Sequence, residues 1–415
     1  MIRSLFASTV LLSTALLTVP AHAASFSTSA LELPTLKISG QTSFNNWFFD
    51  NKRKTVQKDD DVCGRKKYGR GQLFTVDNSR IKFLVSGKLD TGMEYGMAIV
   101  LDGNRNKDKI VRENYIFFEG TWGKVFLGDT YGVQDFMAFG GYDEWGGTGF
   151  MEGPLDRVVN FTTGTLHSDD LVGDTSRATK VTYVSPRWKG IQVGVSYTPQ
   201  TQHIGEAKIS SQTSPDDPKE PFGADNVAGG INFIHKFSNG FYMALSGTAI
   251  FENARPEYHG APKRHHTAAF AFGGDFRYAD FGFGMEYGNN GRSRLSVDQP
   301  HRHKANAGEW INLGLSYTWG STKFGTGYYY GWRNALGKHY KPRSAKTRAV
   351  QASIDQKLAP GLGVYLEYSH IEMSNSAARA EAARATQVLS KCKQSITPTK
   401  SNKANVFIIG SRLVF

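Results

Sequence analysis

Residues 310–332 read WINLGLSYTWGSTKFGTGYYYGW, and their pattern decides the fold. Successive side chains of a β-strand point to opposite faces of the sheet, so alternation of apolar and polar residues indicates two unlike faces. Gly320-Ser321 reads as a tight turn that leads into a second strand from Lys323 to Trp332. The stretch therefore predicts an antiparallel hairpin with one face suited to lipid and the other to water. In the first strand these faces are Ile311, Leu313, Leu315, Tyr317 and Trp319 against Asn312, Ser316 and Thr318.

The same alternation continues along the chain in about sixteen segments. Short turns such as Asp90-Thr91-Gly92 and Ser238-Asn239-Gly240 alternate with longer polar connections. Transmembrane barrels have short turns at one end and long loops at the other. We predict an all-β fold, a transmembrane antiparallel β-barrel of about sixteen strands. A soluble sandwich or propeller is the alternative, but it would not explain polar faces that run around the whole chain.

The composition agrees with a barrel. The chain has 45 glycines and 13% aromatic residues, and its mean hydropathy is -0.39. Such low hydropathy would suggest a soluble protein, but alternating barrel strands also keep the average low. After the N-terminus no apolar run is long enough for a transmembrane helix. Because only helices and closed barrels satisfy their backbone polar groups in lipid, a barrel is the spanning structure that the sequence allows.

The N-terminus predicts a secretory signal peptide over residues 1–23. Arg3 supplies the positive charge, Leu5–Val19 the apolar run, and Ala21-His22-Ala23 the cleavage site. A membrane anchor is the alternative, but the run is short for a span of roughly 20 residues. The mature chain, residues 24–415, is then predicted to be a single barrel domain.

The chain is basic, with a formal net charge of +12. Strongly basic proteins can bind nucleic acid. Export from the cytoplasm argues against a nucleic-acid partner here. The basic residues instead favour anionic solutes or an anionic lipid surface.

One long segment, Asp129 to Arg177, interrupts the rhythm of strands. A loop of this length within a compact domain is expected to have a function. Strands flank it on both sides, so we interpret it as a loop that folds into the lumen and narrows it. The segment is rich in glycine and in acidic residues: Asp129, Asp135, Asp143, Glu144, Glu152, Asp156, Asp169, Asp170 and Asp174.

Several stretches resemble the general porins of Gram-negative outer membranes, a family of sixteen-stranded trimers. They include Asn78–Phe83, the hairpin Arg112–Gly128 before the long loop, and the hairpin Val181–Gly190 after it. Within the loop, Phe139–Tyr142 matches the tail of a motif that the family often carries. The chain also ends on an aromatic residue, Phe415, as the family does.

This resemblance implies a water-filled channel in the outer membrane, through which small hydrophilic solutes and inorganic ions diffuse passively. It also implies a homotrimer, contacts with outer-membrane lipid and lipopolysaccharide, and recognition of Phe415 by the barrel-assembly machinery. We expect no cofactor, no metal and no catalytic residue. A substrate-specific channel or an adhesin-like surface barrel is the alternative function. A hydrolase is a weaker one, since no spacing of serines and histidines singles out a catalytic set.

In this family the constriction loop faces a basic wall, and the charges at the narrowest point select among ions. The net charge favours anions while the acidic loop favours cations, so we predict a weak anion preference. The predicted basic wall comprises Arg80, Lys82, Arg112, Lys180 and Arg412. The predicted acids of the constriction loop are Asp135, Asp143, Glu144, Glu152 and Asp156.

The two cysteines, Cys63 and Cys392, lie in the first and the last predicted outer loops. In a closed barrel the last strand pairs with the first, so these loops are neighbours. A disulfide between them is a hypothesis that requires Cα atoms roughly 4.4 to 6.8 Å apart.

Overall fold

A single closed barrel of sixteen antiparallel strands makes up the protein in a computed structural model. The structure describes residues 33–55, 71–103, 110–158, 170–201, 204–205, 223–254, 263–295, 297, 305–336, 342–375 and 399–415. Each strand pairs with its neighbours in sequence, and the predicted fold class and strand number are confirmed. The strands are β1 Thr35–Thr55, β2 Gln72–Lys88, β3 Glu94–Asp102, β4 Val111–Gly120, β5 Gly123–Asp129, β6 Thr179–Val184, β7 Ile191–Gln200, β8 Gly223–Lys236, β9 Tyr242–Ala254, β10 Thr267–Tyr278, β11 Phe281–Asn289, β12 Asn306–Trp319, β13 Thr322–Leu336, β14 Pro342–Ala359, β15 Leu362–Asn375 and β16 Thr399–Val414.

The barrel closes where β1 pairs with β16. The register runs from Gln41 opposite Val414 to Thr55 opposite Thr399. Next to the pair Gln41–Val414, Gly40 and Phe415 exchange two backbone hydrogen bonds of 2.9 Å each. The C-terminal residue therefore completes the ladder, and no edge strand remains to be satisfied.

The two faces of the strands divide as the alternation predicts. On β10, Phe272 and Tyr278 are exposed on the outside, whereas Asp275 is buried on the inside. The outer aromatic rings also pack across strands, with the centroids of Phe281 and Tyr317 4.7 Å apart. An apolar outer face and a polar lumen are what a membrane-spanning barrel requires.

The two ends of the barrel are unlike. At the short-turn end the connections are as brief as residues 279–280 and 320–321, and all the long connections lie at the opposite, long-loop end. Several strands continue further toward the long-loop end than their apolar pattern predicts. Thus β1 continues to Thr55, past its last apolar residue Phe49, because its backbone pairing with β16 continues there.

The connection between β5 and β6 folds into the lumen, as predicted. Four short turns of helix lie within it: α1 Val133–Phe136, a 3₁₀ turn Gly141–Asp143, an irregular turn Met151–Leu155, and α2 Asp156–Val158. None of the helices in the described ranges has the length and apolar character of a membrane-crossing helix. The largest buried apolar cluster joins this loop to the wall. It includes Met137, Phe150 and Leu155 of the loop and Trp310 and Tyr329 of the wall.

Candidate functional site

The loop between β5 and β6, which we call the lumen loop, is hydrogen-bonded to the wall along its course. Its first helix begins against β7, where the Val133 amide donates to Ser196 Oγ at 3.0 Å. The Phe139 amide then donates to Ser246 Oγ at 2.8 Å. Further on, the Gly141 amide donates to Asn312 Oδ1 at 2.8 Å. Inward polar side chains of the strands thus satisfy loop backbone groups that secondary structure leaves unpaired.

The tip of the lumen loop is held by the last three strands. The Gly147 amide donates to both carboxylate oxygens of Asp355, at 3.1 and 3.0 Å. The Thr148 amide and hydroxyl both donate to Glu367 Oε2 at 2.7 Å. Arg412 donates to the carbonyl oxygen of Gly147. Two wall carboxylates and one wall guanidinium therefore fix the tip on both its donor and its acceptor sides.

Inward glycines on β10–β13 allow the loop backbone to approach the wall closely. A Cβ atom at Gly314 would lie 2.0 Å from the Gly141 carbonyl oxygen, and one at Gly284 would lie 2.3 Å from that of Gly140. No side chain fits at such distances, and the opposing atoms are backbone. These glycines form a glycine seat on which the middle of the lumen loop lies.

Two of the predicted loop acids do not face the pore. Asp135 is buried at the base of the loop, where the Gln134 side-chain amide donates to its Oδ2 at 3.0 Å. Glu144 is buried against the opposite wall, 2.8 Å from Arg277 Nε and 3.4 Å from Lys323 Nζ. The loop turns both carboxylates toward the wall rather than toward the open channel.

The surroundings of Glu144 keep it ionised. Burial alone would raise the pKa of this carboxyl, but Lys323, Arg277 and a hydrogen bond from Ser316 outweigh burial and lower the pKa from its ordinary value.

Of the other predicted acids, Asp143 accepts a hydrogen bond from the Gly140 amide at 2.9 Å and closes the 3₁₀ turn. The side chains of Glu152 and Asp156 lie outside the described residues.

The wall across the lumen from Glu144, on β2–β4, holds three of the five predicted basic residues, Arg80, Lys82 and Arg112. Arg112 Nη1 donates to Asp102 Oδ2 at 3.1 Å, and its Nη2 donates to the Tyr131 hydroxyl at 2.6 Å. Arg177, at the end of the lumen loop, donates to the same hydroxyl at 3.0 Å. Arg80 lies close enough for both guanidinium groups to repel it. Three cations therefore share one region of the wall, which we call the arginine wall.

Lys82 extends the arginine wall. Its Nζ lies 3.3 Å from the Tyr115 hydroxyl. A β-bulge contributes Arg112: Val100 pairs with Glu113 but Leu101 pairs with Val111, so Arg112 is an extra residue. Bulges re-aim side chains, which is how Arg112 reaches Asp102 in the lumen.

Comparison with known proteins agrees with this architecture. A sequence profile of the Gram-negative porins matches residues 7–376. The chain belongs to the Gram-negative porin family. Its fold and family make it an outer-membrane porin, a channel-forming barrel.

Relatives of this porin are distant in sequence. An uncharacterised protein of Rickettsia bellii is 24% identical over 380 residues, which cover 77% of this chain and 80% of that protein. OmpT, an outer membrane protein of Vibrio cholerae in its trimer form, is 15% identical, with 92% and 100% of the chains covered and a TM-score of 0.56. An anion-selective porin from Comamonas acidovorans is 13% identical, with the same coverage and a TM-score of 0.54. These two structures share the fold.

Two predicted cations hold the lumen loop. Lys180 is buried, and its ammonium donates to the carbonyl oxygens of Thr130 and, at 2.6 Å, Ser176. It anchors the loop, so its predicted pore-lining role is wrong. Arg412 points inward as predicted, but its guanidinium is engaged by the Gly147 carbonyl and lies over the Tyr365 ring at 5.1 Å.

The lumen of this porin also contains cations that the sequence analysis missed. Arg157, in the lumen loop, pairs with Asp77 on β2. Arg277 and Lys323 project from β10 and β13 beside Glu144. The strand alternation already placed Arg277 inward, and Arg157 and Arg177 lie in the segment whose acids alone were considered. Counting the basic residues of that segment as well as the acidic ones would have identified Arg157 and Arg177.

Acids and bases in the lumen differ in their access to water. In the described part of the chain nine carboxylates are buried but only one ammonium, that of Lys180. Within the pair Arg277–Glu144 the side chains are 45% and 2% exposed, and within Arg157–Asp77 they are 40% and 8% exposed. Arg112–Asp102 is an exception, with both members buried. Short carboxylates end at the wall, whereas the longer basic side chains extend into the channel.

The remaining predicted residues lie at the chain termini and in the outer loops. Phe415 closes the barrel through its backbone, and its ring covers Gly40. Its role as an assembly signal stays a prediction. Cys63 and Cys392 lie outside the described residues, as does the predicted signal peptide.

Proposed function

We propose that this porin conducts small hydrophilic solutes and ions by passive diffusion, with a weak preference for anions. The observation that carries this proposal is the unequal exposure of the lumen charges. Exposed basic groups raise the local concentration of anions in a narrow channel with low-dielectric walls. The buried acids still reduce the field, so the preference is weak rather than strict.

Reversal potentials across a salt gradient test the ion preference. The wild-type protein in a planar bilayer is expected to favour chloride over potassium, less so as the salt concentration rises and screening increases. Removing two half-buried charges of the arginine wall with Arg80→Gln and Lys82→Gln is expected to move the reversal potential toward cations. Lys189→Gln removes one charge from a short turn outside the lumen and serves as control. Cation preference of the wild type would refute the proposal.

We propose further that the channel is a homotrimer without enzymatic activity, exported with cleavage after Ala23. The trimer rests on the resemblance to general porins, and OmpT of Vibrio cholerae, which has the same fold, is described as a trimer. Native mass spectrometry of the protein from membranes measures both the number of subunits and the mature mass. Monomers, or chains that retain residues 1–23, would contradict these proposals.

A further inference from the structure

Below the arginine wall, toward the short-turn end, the lumen face of β2–β5 is apolar and aromatic. The lumen face of a membrane barrel is ordinarily polar, because it borders water. Here the inward position directly below Lys82 on β2 is Leu84, which pairs with Ala98, and Ala98 pairs with Tyr115. Phe117 and Phe126 pair with each other one inward position lower. We call this surface the aromatic shelf; it consists of Leu84, Ala98, Tyr115, Phe117 and Phe126.

A residue of the lumen loop, Phe136, extends the aromatic shelf into the channel. Its ring centroid is 6.1 Å from that of Phe126, which lies 5.7 Å from that of Tyr115. Phe136 is 46% exposed although it lies inside the barrel, whereas the next residue, Met137, is fully buried. Tyr115 and Phe117 are also buried, so Phe126 and Phe136 supply the rings that a solute can reach. Packing of the loop therefore uses only part of the Phe136 ring.

Cations border the aromatic shelf above and below. Above it, Lys82 Nζ lies 3.3 Å from the Tyr115 hydroxyl and 5.9 Å from the centroid of the same ring. Below it, Lys124 Nζ lies over the Phe117 ring at 4.4 Å and 2.8 Å from a carboxylate oxygen of Glu119. The charge of Lys124 is therefore compensated, whereas Lys82 adjoins the guanidinium groups of the arginine wall. Positive charge is concentrated on the upper side of the shelf.

The wall on β10–β13 offers no comparable surface among the residues that the structure describes. Its inward positions include Gly284 and Gly314, which the backbone of the lumen loop covers. Its large aromatic side chains Trp310 and Tyr329 are fully buried. Aromatic surface that borders the channel therefore lies beside the arginine wall. Apolar and aromatic walls with a few placed polar groups are typical of sites for small molecules.

We propose that the aromatic shelf, Phe136 and Lys82 form a binding site for small aromatic carboxylates within the channel. The ring of the solute stacks on Phe136 and Phe126, because aromatic pairs contribute more than the area they bury. Its carboxylate accepts a charge-assisted hydrogen bond from Lys82. Tyr115 alone spans the gap between the Lys82 ammonium and the Phe126 ring, so a solute of similar length, such as benzoate, reaches both. This inference rests on the proposed anion-conducting channel and adds a class of preferred solute.

Block of the chloride current through single channels tests this inference. The probes are benzoate, cyclohexanecarboxylate, which has the same charge without the aromatic ring, and benzyl alcohol, which has the ring without the charge. The half-blocking concentration of the wild type is expected to be about fivefold lower for benzoate than for cyclohexanecarboxylate, and benzyl alcohol should block least. Phe136→Leu is expected to abolish the preference for benzoate over cyclohexanecarboxylate. Lys82→Gln should weaken block by both carboxylates equally and so keep that preference.

The matched control is Phe281→Leu, which removes a ring that is 58% exposed and lies 4.7 Å from the Tyr317 centroid, but on the outer face. It should keep the wild-type preference, as should Phe136→Tyr, which retains the ring and covers the case in which Phe136→Leu does not fold.

Equal block by benzoate and cyclohexanecarboxylate in the wild type, or an unchanged preference in Phe136→Leu, would overturn the inference and leave the proposed anion preference in place. Equilibrium dialysis of the same probes against detergent-solubilised protein measures binding without ion flow. A channel that prefers cations would therefore refute the proposed function, while dialysis would still show whether the wild type binds benzoate about fivefold more tightly than cyclohexanecarboxylate. Equal binding in dialysis would overturn the inference.

Discussion

Two walls of the lumen use their charged residues in opposite ways. The wall on β10–β13 presents the glycine seat and the cations Arg277 and Lys323, and the lumen loop covers it. The arginine wall on β2–β4 is the more open of the two, because Arg80 and Lys82 are half-buried rather than buried, whereas Arg112 is buried in its pair with Asp102. On the covered wall, charge holds a loop in position, whereas on the open wall it is available to passing ions.

This difference shows that the net charge of the lumen loop in the sequence does not determine the ion preference of the channel. The lumen loop is acidic in sequence, yet Asp135 and Glu144 are both buried, and Glu144 is paired with Arg277 of the wall. What a solute meets is set by the groups that remain exposed after the loop has docked. Arg157, Arg177 and Arg277 are exposed or half-buried, and all three are basic.

Breaking the covered wall at Glu144 is expected to have the largest effect. Glu144→Ala removes the partner of Arg277, Lys323 and Ser316 together. The free energy of unfolding is expected to fall by about 3 kcal/mol, near the lower end for a buried ionic contact because both cations reach water. The released cations should also strengthen the anion preference in reversal-potential measurements.

A surface ion pair of similar geometry is the control for this variant. Glu119 and Lys124 are 2.8 Å apart, with 45% and 31% of the side chains exposed. Glu119→Ala is expected to cost less than about 1 kcal/mol. Equal losses in the two variants, measured as the temperature at which the compact barrel unfolds on electrophoresis, would show that Glu144 does not hold the loop.

The open wall and the barrel itself could be predicted from the sequence. The period of two along each strand assigns Arg80 and Lys82 to the lumen, and the succession of short and long connections gives the sixteen strands and the position of the lumen loop. These properties are local, because each depends on residues a few positions apart. The inward direction of Arg277 follows from the same period.

The covered wall could not be predicted, for physical reasons that are equally specific. Inside an irregular loop no period relates position to direction, so nothing local shows that Glu144 turns toward Ser316, 172 residues away. The role of Gly314 depends on the Gly141 backbone across the lumen. The alternation along the strand does predict that Lys180 points inward. It does not predict that the lumen loop covers this side chain, because that contact depends on tertiary structure.

Filling the glycine seat is expected to have the next largest effect. Gly314→Val places a side chain where the Gly141 carbonyl lies, so the loop must move away from β12. Overpacking of this kind costs about 2 kcal/mol. Because the loop moves toward the arginine wall, single-channel conductance is expected to fall. Gly229→Val is the matched control, since a Cβ at this β8 glycine meets no atom within 4 Å. If both variants conduct like the wild type, the seat does not position the loop.

Lowering the pH is expected to have the smallest effect. It should distinguish the covered wall, which holds the Glu144 carboxylate, from the open wall. Because the pKa of Glu144 is lowered in the folded protein, its ion pairs stabilise the barrel above the ordinary carboxyl pKa, and this stabilisation is lost as the pH falls through the lowered value. The difference in unfolding temperature between the wild type and Glu144→Gln is therefore expected to be complete at neutral pH. It should narrow only below the ordinary carboxyl range of about pH 4. Arg80→Gln, on the open wall, should show a difference that does not change over this range, since a guanidinium does not titrate there. A wild-type advantage over Glu144→Gln that persists unchanged in strong acid would mean that the carboxylate charge does not hold the loop to its wall.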